Sequence, residues 1–385
     1  MNSLSKQLQL STLLPNLCAL DGCPKSGKLI CTHCEAVPDP ELFENNLPNV
    51  GYCSPSHLEE DATAHKEMRR SRRWLRFADR VAQLHYVVFT TERDTMWLNK
   101  LVNSQITLIG GVRLFEFQFV DVPASETTFC SDSVDEETRQ QALHLNQCCH
   151  TICLATPLLA YMNIQGAFRI KEYNISITAG LRIASMTISR STFTALRFNN
   201  GPLHSVLLLA PKFLPAAKPD DGPFAEAGII SDPSFKQMGF KESTQEAKDY
   251  LLKLDNIKKG HGAAEFGDGF KNFLSYSADP SEDIRFYGMW RHTAICVICN
   301  VLYPILEDLG GPKGFEDLRK QEWEDLKQKL SVQLREKLNE LRSELDNILY
   351  PIEDPAWEQN LTELLKQREK GREYREMIAC LYKYN

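Results

Sequence analysis

GYCSPSHLEEDATAHKEMRRSRRWLRFADR, residues Gly51–Arg80, joins two kinds of chemistry in one stretch. Its first half carries three metal-donor side chains, Cys53, His57 and His65. Ser54 and Pro55 read as a helix N-cap and first helical position, so a helix begins around His57. Were that helix unbroken as far as His65, eight residues at about 1.5 Å each would hold the two imidazoles roughly 12 Å apart. They could not then share an ion. In the second half Trp74, Phe77, Val81 and Leu84 recur at three- and four-residue steps, the period of a helix with one buried face. Arg69, Arg70, Arg72, Arg73, Arg76 and Arg80 make the rest of that helix cationic. The expected reading is a solvated face partly neutralised by Glu59, Glu60 and Asp61. The alternative is a nuclear-import signal or a phosphate contact.

Upstream, the pairs Cys18-x4-Cys23 and Cys31-x2-Cys34 precede Cys53-x3-His57. Donors spaced so closely let one tight turn present both to a tetrahedral ion, and thiolate with imidazole suits Zn²⁺. Five of the chain's 12 cysteines lie between Cys18 and Cys53, and nothing in the sequence points to secretion, so metal is favoured over disulfides. Cys18, Cys23, Cys31, Cys34, Cys53, His57 and His65 are too many for one zinc and nearly enough for two. Two sites is the economical expectation.

The order of these residues resembles the MYND-type zinc finger. The residues that carry the likeness are Cys18, Cys23, Cys31, Cys34, Tyr52-Cys53-Ser54, His57, Asp61 and His65-Lys66. The resemblance implies interleaved sites, with Cys18, Cys23, Cys53 and His57 on one zinc and Cys31, Cys34 and His65 on the other. Arg69 stands where the family's last cysteine falls, and a guanidinium that stays protonated has no lone pair to offer. The second site would therefore need water or a carboxylate, with Glu67 as a candidate. Leu58 and Ala62 replace the glutamine and tryptophan that help line the peptide groove of family members binding proline-rich motifs. Glu35 to Gly51 is also longer than the family's usual stretch. The resemblance spans Cys18 to Arg69 and says little about the rest of the chain.

That remainder reads as a mixed α+β body. Val112 to Val122 (VRLFEFQFVDV) alternates so that Phe115, Phe117 and Phe119 share one side of a strand. Ala167 to Thr178 and Ile183 to Ser189 read as further strands, and Asn199-Asn200-Gly201 as a turn into the apolar run Ser205 to Leu209. Asp135 to Tyr161 and about Asp283 to Leu306 read as helices. Ala210 to Gly228 is the best loop. Beyond it, Phe315, Leu318, Trp323, Leu326, Leu330, Leu334, Leu338, Leu341 and Leu345 stripe one long helix to Leu349, and Glu358 to Leu381 forms another. A leucine stripe needs a mate. The body of the same chain is the expected one, with a partner or a second copy of the chain as the alternative. The organisation expected is thus a zinc-stabilised finger over 15–70, an α+β body over 71–311 and long amphipathic helices over 312–385.

The chain has 385 residues with a formal net charge of −7, which argues against a surface given over to nucleic acid or anionic membrane. Uninterrupted apolar runs stop short of a membrane span, being broken by Pro157 or by Arg291 and His292, and the start lacks a secretory leader. A cytoplasmic or nuclear protein is expected. Within the body, Cys296-x2-Cys299 lies in an apolar helix without a second donor pair and reads as buried thiols. His144 with Cys148, and His150 with Cys153, read as packing. The motifs of a SET-type methyltransferase, a frequent companion of this finger type, are missing. The expected function is a non-catalytic interaction or regulatory scaffold with structural zinc and protein partners. An unrecognised enzyme in the body, or a nucleic-acid-binding transcription regulator, are the alternatives.

Overall fold

The computed structural model describes residues 18, 20, 22–27, 29–30, 51–97, 99–109, 112–121, 129–130, 134–144, 148–163, 165–176, 183–188, 203–214, 216, 227–238, 240–253, 263–280, 282–349 and 356–384. The first elements are β1 (Leu29–Ile30), β2 (Gly51–Tyr52), α1 (Pro55–Glu60) and α2 (Ala62–Thr95). The hairpin β3 (Asn99–Ile109) and β4 (Val112–Asp121) comes next, then α3 (Glu136–His144), α4 (Cys148–Met162), β5 (Phe168–Ser176), β6 (Ile183–Ile188) and β7 (Leu203–Pro211). After these come β8 (Ile229–Ser231), β9 (Thr244–Glu246), α5 (Ala247–Lys253), β10 (Ala263–Glu265) and α6 (Asp268–Ser275). The chain ends in α7 (Glu282–Asp308), α8 (Gly311–Asp317), α9 (Lys320–Leu349), α10 (Trp357–Glu369) and α11 (Arg372–Tyr384). This is the α+β class expected. Two compact units arise, Met1–Arg80 with Lys313–Leu326, and Val81–Pro312 with Lys327–Asn385.

In the first unit β1 and β2 form an antiparallel pair, Leu29 opposite Tyr52 and Ile30 opposite Gly51. Only glycine fits at 51, because a Cβ there would lie 2.6 Å from the Gly27 carbonyl oxygen. Ser54 caps α1 as its sequence predicts, its hydroxyl accepting from the His57 backbone N–H at 3.3 Å. The arginines of α2 find acids other than those expected. Arg73 pairs with Glu316 at 2.9 Å and Asp317 at 3.4 Å. Arg80 is buried, and its Nη1 donates to the carbonyls of Phe315 and Glu316 at 3.3 and 3.1 Å while its guanidinium lies over Trp323. A cation there satisfies orphan carbonyls at the C-terminal turn of α8 and complements its dipole. Phe315 packs edge-on against both Phe77 and Trp323. The face read as solvated is, at Arg80, structural.

The second unit holds a five-stranded antiparallel sheet in the order β10-β5-β7-β8-β9 and a three-stranded sheet in the order β3-β4-β6. The apolar run Ser205–Leu209 is inside β7, the central strand, and is buried on both faces. On one face Tyr173, Ile175, Val206, Leu208, Ala210 and Ile230 pack with Ala247 and Tyr250 of α5. On the other, buried Glu172 accepts the backbone N–H groups of Gly267 at 2.7 Å and Gly269 at 2.9 Å, at the start of α6. A carboxylate that would otherwise be costly to bury is met by two donors at a helix N-terminus. In the smaller sheet Phe115, Phe117 and Phe119 share the buried face with Leu101, joined by Trp97, Phe129, Ala142 and Leu143.

Two expected helices prove to be four. The stretch read as a helix over Asp135–Tyr161 holds α3 and α4, and 145–147 lie outside the described residues. The long tail helix begins only at Lys320, because the Glu322 carboxylate takes the Arg319 N–H at 2.8 Å and starts a new helix after α8. Glu358–Leu381 splits at Gly371, where the Asn300 side chain accepts the Tyr374 N–H at 3.2 Å and a Cβ on Gly371 would sit 2.9 Å from that same oxygen. The stripe Leu330, Leu334, Leu338, Leu341 and Leu345 is fully buried within the chain, each side chain contributing about 2 kcal/mol. Ser331 and Arg342 on α9 bond to Thr91 and the Thr95 carbonyl of α2 at 3.2 and 3.3 Å.

Helix α7 is long and apolar enough to cross a membrane, yet it is mostly buried as a core helix. Its interruptions are paired. Arg291 bonds to the buried Glu92 carboxylate, which also meets His150 at 3.3 Å, and His292 Nε2 lies 2.8 Å from the Tyr374 hydroxyl. Burial alone would raise Glu92, but Arg291 and then His150 outweigh it and hold the carboxyl near 2. Burial pushes His85, His150 and His292 down to about 4 and His144 to about 3 from an ordinary value of 6.5. The unfolded chain binds more protons than the native one below 6.5, so stability is fully present above that pH and falls as these neutral rings must charge. Urea unfolding between pH 8 and 5 should show the midpoint falling steeply below 6.5, up to about 1.4 kcal/mol per pH unit for each histidine. A flat profile to pH 5 would contradict it. In the same assay Gly269→Ala, whose Cβ would meet Glu172 Oε2 at 2.8 Å, should cost about 1–3 kcal/mol by overpacking.

Candidate metal centre

The finger brings its donors together from two segments. Cys18 and Cys23 flank a tight turn, with the Cys23 N–H donating to the Leu20 carbonyl at 3.1 Å and the Cys18 N–H to that of Lys25 at 2.7 Å. Gly22 within it has φ of +76°, a conformation that favours glycine. Cys53 directly succeeds β2, and His57, at the third position of α1, points its Nδ1 back toward the same spot. Cys18 and Tyr52 form the buried centre, with Leu20, Cys23, Cys53 and Leu58 packed around them.

The ligand atoms of Cys18, Cys23, Cys53 and His57 all lie within 4.8 Å of one another. Cys23 and Cys53 sulfurs are 3.8 Å apart, and His57 Nδ1 is 3.4 Å from the sulfurs of both Cys18 and Cys53. Zinc bonds of about 2.3 Å to sulfur and 2.1 Å to nitrogen give tetrahedron edges of about 3.8 Å between sulfurs and 3.6 Å from sulfur to nitrogen. The observed spacings match those edges, so the four residues fit a tetrahedral ion, with His57 donating through Nδ1. A zinc bound there would be held by three thiolates and one imidazole, and would tie the turn to the start of α1.

Electrostatics prepare the site. Burial raises the Cys18 thiol, but the Cys53 backbone N–H at 3.4 Å, the His57 ring and the Leu20 backbone outweigh it and bring it down to about 6. Cys53 is pushed up by burial and by its two sulfur neighbours. One thiolate is therefore available without metal, and binding an ion would expel protons from the others. Tyr52 and Asp61 support the arrangement in a way that their positions in the motif do not reveal. The Tyr52 hydroxyl donates to Asp61 Oδ2 at 2.6 Å, and the Asp61 N–H donates to the His57 carbonyl at 3.1 Å, fixing the end of α1.

His65 is buried edge-on against Tyr52, ring centroids 5.6 Å apart, and is not among the four clustered donors. α1 ends at Glu60 and α2 begins at Ala62, so His57 and His65 stand on two helices separated at Asp61. Cys31 and Cys34, assigned with His65 to a second ion, lie outside the described residues, as does the Arg69 side chain; Glu67 is exposed. Away from the finger, Cys296 and Cys299 are buried with thiols raised by burial. Cys153 donates to the Gly269 carbonyl, and His144 packs among Tyr86, Phe89 and Phe235.

Compared with protein-family models, curated proteins and solved structures, the chain matches none. Four donors from this one chain give a site that stands on its own geometry. Elemental analysis should find that Cys53→Ser lowers the zinc content by one ion per chain and exposes the finger to protease, while His65→Ala retains that ion. Zinc unchanged in Cys53→Ser would contradict the assignment.

Proposed function

We propose that this chain is a MYND-like zinc-finger protein of the cytoplasm or nucleus, acting as a non-catalytic scaffold through protein partners. The observation that carries the reading is the Cys18, Cys23, Cys53 and His57 set, four protein donors within 4.8 Å of one another. Catalytic zinc keeps a coordination position for water or substrate, and a closed set does not, so the ion is structural. The MYND-like assignment is supported by the donor order and by the grouping of Cys18 and Cys23 with Cys53 and His57.

One polar group of the body is structural rather than a site. Ser231 Oγ lies 3.0 Å from His85 Nδ1, a spacing that could activate a nucleophile, and His85 Nε2 donates to the Thr151 carbonyl at 2.8 Å. With that proton on Nε2, Nδ1 accepts from the serine. Yet His85 is completely buried and Ser231 is 1% exposed. Asp232 beside them is satisfied by His204 at 2.9 Å and by Tyr250 at 2.8 Å. These are hydrogen bonds that knit α2, α4, α5, β7 and β8 together, sealed from a substrate.

The test compares proteins co-purifying with the tagged wild-type chain and with Cys53→Ser, both checked for a folded body by thermal unfolding. A set of partners lost with the finger is expected. Identical sets from both would refute the finger as the binding element, and turnover of a substrate by the purified body would refute the scaffold.

A further inference from the structure

We propose that Cys23 and Cys53 form a redox switch in which peroxide joins them as a disulfide and discharges the zinc. The inference rests on the Cys18, Cys23, Cys53 and His57 site holding zinc. The three thiolates are not equivalent. Cys18 is buried, 7% exposed, and its sulfur accepts the Cys53 backbone N–H at 3.4 Å. Burial shields it from an oxidant. Cys23 and Cys53 are partly exposed, with sulfurs 3.8 Å apart. A disulfide needs about 2.05 Å, so the pair must close by under 2 Å. Their partial exposure, against the burial of Cys18, is what singles out this pair.

The chemistry balances with a hydroperoxide as the oxidant. The sulfur of one of the pair attacks the peroxide O–O bond, forming S–O and releasing hydroxide or alkoxide, which takes a proton from a buffer acid. The second thiolate then attacks the sulfenyl sulfur. The S–S bond forms, the S–O bond breaks, and the hydroxide leaves as water after protonation. Two thiolates have lost two electrons and the peroxide has gained them; the zinc keeps its oxidation state throughout. Only Cys18 and His57 then remain as donors, too few to hold a tetrahedral ion. Because Cys53 lies directly between β2 and the α1 cap, the change is delivered to the base of α1.

The zinc-loaded full-length protein is titrated with hydrogen peroxide while released zinc is read with a chromogenic chelator. Disulfides are mapped by mass spectrometry of a non-reducing digest. One zinc should appear for each Cys23–Cys53 disulfide formed, and a phosphine reductant with added zinc should restore the starting content. Disulfides that join Cys18 instead, sulfinic or sulfonic acids without a disulfide, or zinc retained after the pair has oxidised, would each overturn the switch. A protein with no zinc before any peroxide is added would overturn the metal site itself, and the two failures are separated by that first reading.

Discussion

Four donor atoms, three sulfurs and one imidazole nitrogen, converge in the N-terminal segment within 4.8 Å of one another, and the shape of that segment turns on them. Among the described residues of the finger the buried centre consists of Cys18 and Tyr52, with four partly buried side chains around them. Apolar burial on that scale is small against the conformational entropy of ordering a segment of this kind. A structural zinc supplies the difference in small domains of this kind, because its binding free energy is folding free energy. The local geometry is arranged to receive it. A turn through Gly22 places Cys18 and Cys23, a two-residue strand delivers Cys53, and a capped helix aims His57 Nδ1.

Elsewhere the chain solves the opposite problem, namely polar groups inside a large apolar core. Glu92, Arg291 and His150 are almost completely buried and bond to one another, and Glu172 is met by two backbone amides. Removing one partner of such a group would leave the other charged and unpaired in low dielectric, which is more damaging than the pair is stabilising. These contacts specify how the helices meet the sheet rather than supplying its main driving force. That force is the burial of β7, of the phenylalanine face of β4 and of the leucine stripe of α9.

Much of this was legible in the sequence because it is periodic or chemically marked. Alternating Phe115, Phe117 and Phe119 announced β4, the Ser54-Pro55 pair announced α1, and closely spaced donors announced the metal site. What escaped was decided by tertiary partners. The split at Gly371 depends on Asn300, and the role of Arg80 on the end of α8, each far away in sequence. β3, with the sequence NKLVNSQITLI, has too weak an alternation to stand out and owes its place to pairing with β4. The contact of Tyr52 with Asp61 likewise belongs to a turn of the chain that spacing alone does not encode.

The most direct measurement of the central claim is zinc X-ray absorption on a Cys31→Ser/Cys34→Ser variant, which isolates the site formed by Cys18, Cys23, Cys53 and His57. The structure predicts a four-coordinate shell of three sulfurs at about 2.3 Å and one imidazole nitrogen at about 2.1 Å. An oxygen-rich shell, a two-sulfur shell or the absence of bound zinc would contradict it.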